Sequence, residues 1–481
     1  MKKSKFDFKK FGLRTSNLII LSLICILVGF VLIVATYGFN ELDYSGDVYT
    51  RTAALLSKES DYKKVTIHDN SALDNFTDSL MILTAMHPNK SGDSLVASAM
   101  KNSRTQLSGS PRKAFEGDIS KGKDYEYSRY WHGYLIFLKP LLKYFDFSQI
   151  RIINAMFQGC LLFALIAILF KKKYGFVIIP FLCAYALISP LTIASSMQYS
   201  SAWNIVLISS IVYLLLQNKI IEHNLHYLYF ALVGMLTSYF DLLTYPIATL
   251  GFLLIIVIAT EKLTVWESIK KILICGLSWT FGYGIMWLAK ILIASIVLKD
   301  SDVFGEAQKA LLSRGSSNTS KGTPITDEML YEKLSKYLTD DIVARSSIFV
   351  GITGTIYLAW TIVKNKVSKI REWLDRFKKS DDEIVEIEDL NSYSYLDSEI
   401  TRNVLSIISK LIIIGALSLI TIVWYKVIRQ HSYVHTFMTY RTFSVMYFAL
   451  FMILFKLSYD LNRWFAFKSK RGKKSTKGGT K

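Results

Sequence analysis

The chain has 481 residues, 51% of them hydrophobic, with a mean hydropathy of +0.30, and apolar runs of about 17 to 25 residues recur along it. That pattern excludes one soluble core and implies an all-α polytopic membrane protein of about ten transmembrane helices with a long first extracytoplasmic loop containing short helices. The formal charge of +19 does not indicate a nucleic-acid partner, because it gathers before the first span (Lys2, Lys3, Lys5, Lys9, Lys10, Arg14) and after the last (Arg463, Lys468, Lys470, Arg471, Lys473, Lys474), where it orients spans and meets anionic lipid.

In chain order, 1–17 reads as a basic cytoplasmic N-terminus and 18–38 as a first span, too long for the apolar part of a cleaved signal. Residues 39–150 form an extracytoplasmic loop of roughly 110 residues, long enough to hold structure and function of its own. Spans two to seven occupy 151–298, with a re-entrant hairpin around Asp241 as the alternative for the pair at 227–240 and 245–259. Gly276, Gly282 and Gly284 offer close helix contact in the seventh span. A second external loop covers 299–346, span eight 347–363 and a charged cytoplasmic segment 364–402. Spans nine and ten lie in 403–457, joined by an external His/Arg turn, and 458–481 is a basic cytoplasmic tail. Cys25, Cys160, Cys183 and Cys275 all fall in apolar runs, so no disulfide framework or cysteine metal site is expected.

The chemistry-bearing residues collect on the expected outer face. Glu41, Asp43 and Asp47 follow the first span; as ordinary flanks they would be solvated, and as a working pair one would act as a base while its neighbour tunes it. Arg129-Tyr130-Trp131-His132 reads either as an interfacial aromatic belt or as a sugar or isoprenoid platform whose Arg129 binds phosphate. The apolar stretch 134–142 that follows reads as a helix lying on the membrane. Gln198 and Tyr199 sit in an external turn, and Asp241 interrupts an apolar stretch, where an acid faces a cavity, a partner or simply a turn. His431, His435 and Arg441 crowd the last external turn and suit an anion, or, for the two histidines, a divalent metal whose third ligand cannot be named. No phosphate-cradling loop or dinucleotide fingerprint is present, which argues against transport driven by nucleotide on this chain.

With Glu41-Leu42-Asp43 just after the first span and a long loop behind it, the layout resembles the GT-C superfamily of membrane glycosyltransferases. The resemblance implies a sugar donor on a polyprenyl phosphate and a glycan or glycolipid acceptor at the outer face of a bacterial plasma membrane. It implies Asp43 as the base that activates the acceptor hydroxyl, with Glu41 or Asp47 able to replace it. Arg441, His431, His435 and Arg129 would take the donor phosphate, and Trp131, His132, Asp241, Gln198 and Tyr199 the substrate. No cofactor other than a divalent metal is implied. A flippase for lipid-linked sugars, or a polysaccharide polymerase or ligase, is the alternative reading.

Overall fold

A computed structural model describes residues 8–38, 46–89, 92–299, 301–338, 341–377 and 407–475. α1 (Phe8–Tyr37) is followed by a cap of four short helices, α2 (Asp47–Lys58), α3 (Asn75–Met86), α4 (Leu95–Lys101) and α5 (Leu135–Leu142). Between α4 and α5 runs a two-stranded antiparallel ribbon, Arg104–Gln106 against Lys123–Tyr125. Then come α6 (Phe147–Lys171), α7 (Ile178–Ala186), α8 (Pro190–Ser195), α9 (Met197–Glu222), α10 (His226–Phe240), α11 (Ile247–Thr260) and α12 (Val265–Val297). The second long loop folds as α13 (Val303–Gly315) and α14 (Asp327–Leu338). α15 (Asp341–Phe377), α16 (Ile407–Val427), the short α17 (Arg429–Val434) and α18 (Thr436–Thr439), and α19 (Phe443–Ser475) complete the chain.

Among the described residues seven segments are long and apolar enough to cross a membrane: α1, α6, α9, α12, α15, α16 and Thr436–Arg463, most of it in α19. The other three of the ten expected spans are helices too short for that test. α7 has 9 residues because Ser189 turns left-handed (φ 59°) before Pro190, a position where helical backbone is disfavoured. α10 and α11, of 15 and 14 residues, flank the turn at Asp241–Pro246 and lie against each other. Their open ends meet where His226 Nε2 lies 2.6 Å from Glu261 Oε1, so the pair is a helical hairpin with Asp241 at its tip. Helices of that length reach about 22 Å. Rooted at one interface of a hydrocarbon layer about 30 Å thick, they stop about 8 Å short of the other. The tip nevertheless touches the cap, since the Gly133 amide donates to Tyr239 O at 2.9 Å. The cap therefore reaches down to the hairpin tip.

Two hydrophobic cores flank α10. One surrounds α11, every residue of which from Ile247 to Ala259 is buried, and draws on α7, α9 and α19. The other joins α1 and α12 to the cap helices. α10 serves both, with Phe230 and Val233 facing the first and Ala231 and Met235 the second. Its seam with α12 is a backbone contact: a Cβ on Gly234 would strike the Trp279 carbonyl, and one on Gly282 the Ala231 carbonyl. Of the glycines expected to allow close approach only Gly282 does so; Gly276 and Gly284 have nothing within 4 Å.

The cap is clamped to α6 by a buried network. Arg151 donates to Glu59 Oε2 at 3.0 Å and to Asn75 Oδ1 at 2.7 Å, and the Asn75 amide also donates to Glu59. Lys63 and Arg151 hold the Glu59 carboxyl below its usual range although burial pushes the other way. The expected surface helix at 134–142 is α5, but it packs inward through Leu135, Leu138 and Leu142, with Phe137 left exposed.

Gly282→Val is expected to abolish the α10–α12 seam and leave little folded protein after detergent extraction, whereas Gly284→Val should extract and melt like the wild type. Arg151→Ala strands Glu59 as a buried, half-paired charge, a loss of about 3 to 5 kcal/mol. It should show as a lowered melting temperature, with Arg151→Ala/Glu59→Gln recovering much of it.

Candidate functional site

The cap and the second loop bring three guanidinium groups onto one pair of tyrosine rings. The ribbon sets Arg104 opposite Tyr125, and its guanidinium lies 5.4 Å from the Tyr127 ring centre. Arg129 lies 5.1 Å from the same ring. Arg314, at the end of α13, lies 5.4 Å from the Tyr130 ring and donates to the Tyr130 hydroxyl. The rings of Tyr127 and Tyr130 are 5.5 Å apart, edge to face. Among the described residues none of these arginines has a carboxylate within ion-pair distance, and Arg104 Nη1 and Arg129 Nε are buried without a hydrogen-bond partner. Stacking on aromatic rings offsets part of the cost of holding like charges together. Unpaired donors away from water still call for an acceptor. An anion with several oxygens supplies that.

A second polar pocket lies under α3. Arg441 is wholly buried, its guanidinium 3.6 Å from the Tyr199 ring centre and 4.7 Å from that of Tyr440. It donates to Phe437 O at 2.9 Å, while Nε and Nη2 have no partner. Beside it Asp74 caps α3, accepting from the Thr77 amide at 3.0 Å with one oxygen and leaving Oδ2 buried and unpartnered. Both side-chain atoms of buried Asn70 are also without partners. Burial pushes the Asp74 carboxyl up to about 6 against the pull of the Thr77 hydrogen bonds and Arg441. Asp78, one turn on, accepts from the Met197 and Gln198 amides at 3.3 and 3.0 Å and so caps α9 from a different part of the chain. Burial, with Asp74 beside it, raises its carboxyl to about 7, while Arg151 and the Gln198 amide oppose.

The expected site residues fall into distinct roles. Arg441, Tyr199 and Gln198 come together in the pocket just described. His431 and His435 lie with tilted rings 4.8 Å apart, and His431 Nε2–H donates to Leu243 O at 2.8 Å. Burial first, then His435 and Arg314, lowers His431 to about 3, and burial, then Arg314, lowers His435 to about 4, so both are neutral near pH 7. Asp241 is tied down by the amide and hydroxyl of Thr244 at the hairpin tip, where Leu243 is held at φ 66°. That conformation costs a bulky residue on the order of 1 kcal/mol.

Trp131 and His132 are buried and satisfied. The indole N–H donates to Met286 O at 2.7 Å, and His132 bridges Tyr127 O and the Tyr134 hydroxyl at 2.9 and 2.8 Å. Donation to the Tyr127 carbonyl places a proton on Nε2, while burial first, then the charge of Lys290, lowers the imidazole to about 3. Trp131 thus pins the cap to α12, and His132 ties the cap to itself. Asp47 opens α2 with an exposed carboxylate 3.5 Å from Arg51. Glu41 and Asp43 lie outside the described residues, as does the acidic patch at 381–389. No three His, Cys, Asp or Glu side chains gather as a metal would require among the described residues.

Asp74, Asp78, Arg104 and Arg314 were not singled out from the sequence. Asp78 carried a readable signal, an acid directly before an apolar run, Asn75-Phe76-Thr77-Asp78-Ser79-Leu80-Met81-Ile82. Arg314 carried none, since its partner Tyr130 is 184 positions away. No protein-family model matches the chain, and neither a curated protein nor a solved structure does.

Asp78 holds its proton more tightly in the folded chain than the ordinary 3.8. It therefore contributes stability that is complete below about pH 4 and lost as pH rises through about 7. Buried histidines act in the opposite sense, so the measurement is a difference. The melting temperature of Asp78→Asn minus that of the wild type should grow between pH 4 and 8, while Asp78→Ala, which uncaps α9, should melt lower throughout.

Proposed function

We propose that the chain is a membrane glycosyltransferase of the GT-C kind, moving a sugar from a polyprenyl-phosphate donor to a cell-envelope glycan or glycolipid at the outer face of a bacterial plasma membrane. The observation that carries this reading is the convergence of Arg104, Arg129 and Arg314 on Tyr127 and Tyr130 without a carboxylate partner. A phosphate supplies the missing acceptors, and aromatic rings suit a sugar or isoprenoid face. The short α10–α11 hairpin supports it further, because a site sunk about 8 Å below a surface lies at the depth of lipid headgroups and upper chains. Both termini are placed in the cytoplasm, so that the short basic segments lie inside.

In this reaction an acceptor hydroxyl gives its proton to a carboxylate as its oxygen bonds to the anomeric carbon from the face opposite the phosphate. The bond from that carbon to the phosphate oxygen breaks, the configuration inverts, and the polyprenyl phosphate leaves with the electron pair. Arg129 and Arg314, joined by Arg104, stabilise the charge that grows on the phosphate, each well-placed donor contributing on the order of 3 kcal/mol. Asp43 remains the base implied by the acidic motif after α1. Asp74 is the second choice, because its open oxygen and raised proton affinity suit proton transfer near neutral pH. Arg441 pulls that carboxyl toward its ionised form without overcoming the effect of burial.

In the native host, with membrane levels matched, Arg129→Ala/Arg314→Ala is expected to remove one sugar substituent from the outer-surface glycan while the lipid-linked donor accumulates on the outer face. An unchanged glycan overturns the reading, and accumulation on the cytoplasmic face replaces it with a carrier. Asp43→Asn and Asp74→Asn assayed alongside identify the base, since only its loss should reduce turnover by about a hundredfold or more.

A further inference from the structure

The end of the molecule opposite the cap holds a second polar space that the proposed reaction does not use. A cavity of about 560 Å³ opens between the start of α1, the α9–α10 turn and the α11–α12 turn. Its floor is a finished network. Glu261 accepts from Tyr213 at 2.7 Å, from His226 at 2.6 Å and from Lys271 at 2.5 Å, which leaves that carboxylate no demand for further cations. Glu267 is likewise occupied, closing the capping box at the start of α12 with Thr264. The remaining cations at the rim, Arg14, Lys262 and Lys270, have no carboxylate within ion-pair distance among the described residues, although Glu267 lies in the field of Lys270. Arg14 leans on the Tyr227 ring at 5.6 Å and Lys270 on the Trp266 ring at 5.2 Å. Trp266 is 63% exposed, as an indole seated at a membrane surface would be.

This basic rim continues into an apolar furrow. Asn17, one turn along α1 from Arg14, donates to the Tyr227 hydroxyl at 3.2 Å and marks the boundary. Beyond it a groove of about 410 Å³ runs between α1 and α9–α10, followed by another of about 380 Å³. The two share Leu21, Ile24 and Leu232, and the second ends against Tyr239 and Met286. α1 is lightly packed, with 17% of its apolar window buried, a value it shares with α6 and α15, so the furrow lies along a loose seam of the bundle. Unpaired cations at the mouth of a long apolar groove match one chemistry, a phosphate joined to a hydrocarbon chain.

We infer that the basic cavity and the α1–α10 furrow form one binding site for an anionic phospholipid from the leaflet at the Arg14 end. Arg14, Lys262 and Lys270 take its phosphate, and an acyl chain lies along α1 from Asn17 toward Gly29. The site is separate from the arginine cradle under the cap and stands whether or not the transferase reading does. An occupied furrow adds packing to α1, so binding raises the stability of the whole chain through mass action.

The test uses the full-length protein, purified in detergent and stripped of lipid. Its melting temperature is followed against added phosphatidylglycerol, phosphatidylcholine or inorganic phosphate, and retained lipid is counted by native mass spectrometry. Phosphatidylglycerol should raise the melting temperature saturably and stay bound at one copy, phosphatidylcholine should do neither, and inorganic phosphate should have no effect at the same concentration. Arg14→Ala/Lys270→Ala should weaken phosphatidylglycerol about thirtyfold, at about 1 kcal/mol for each lost cation, while its lipid-free melt stays at the wild-type value. Ile24→Trp, which fills the furrow and leaves the rim intact, should abolish retention. Equal effects of the two lipids with no response to either variant would mean annular lipid only and overturn the proposal. A shift produced by inorganic phosphate alone would overturn it in favour of a soluble-anion site.

Discussion

Two helices of 15 and 14 residues stand where two full spans would be expected, and the depth of the candidate site follows from that shortfall. A hairpin too short to cross a hydrocarbon layer of about 30 Å must satisfy the backbone at its tip with protein groups wherever water is excluded. The turn at Asp241–Thr244 does so with its own side chains, with His431 on the Leu243 carbonyl and with the Gly133 amide on Tyr239. The cap is therefore drawn down into the bundle. Gly133 is required at that contact, since a Cβ would overlap the Tyr239 ring.

Charge is handled in two ways. Where the chain holds itself together, carboxylates and cations are matched, as in Glu59 with Arg151 and Glu261 with Lys271 and His226. Such networks fix geometry because removing one member strands the other away from water. Under the cap the matching stops. Arg104, Arg129 and Arg314 have aromatic faces for company but no carboxylate within ion-pair distance among the described residues, and Arg441 has Asp74 beside it without a direct hydrogen bond. The histidines nearby remain neutral and do not add to the positive field, so the arginines alone define it. The rim at Arg14, Lys262 and Lys270 repeats the same imbalance at the other end of α1.

Much of the architecture was legible because hydrophobic run length is a local property. The all-α membrane class and the positions of α1, α6, α9, α12 and α16 follow from uninterrupted apolar stretches. The site was legible in part. Arg441, Tyr199 and Gln198 were identifiable as polar groups gathered in external turns, and the structure adds that they lie together. Trp131 and His132 looked like a binding surface because their types suit one, yet Trp131 spends its N–H on holding the cap to α12 and His132 spends both nitrogens inside the cap. Residue type reveals capacity to bind and says nothing of whether a partner inside the chain already uses it.

The sequence by itself determined that this chain crosses a membrane repeatedly, which segments are apolar, and where its flanking charges lie, all consequences of transfer energies summed over neighbouring residues. Only the tertiary structure decided that three of the ten apolar segments are short, that Gly282 and Gly234 carry the tightest helix seam while Gly276 and Gly284 face open space, and that Asp74 meets Arg441 and Arg314 meets Tyr130. Those pairings join positions far apart in the chain, so no local pattern encodes them; packing selects them by closing backbone against backbone and leaving some buried donors without an acceptor.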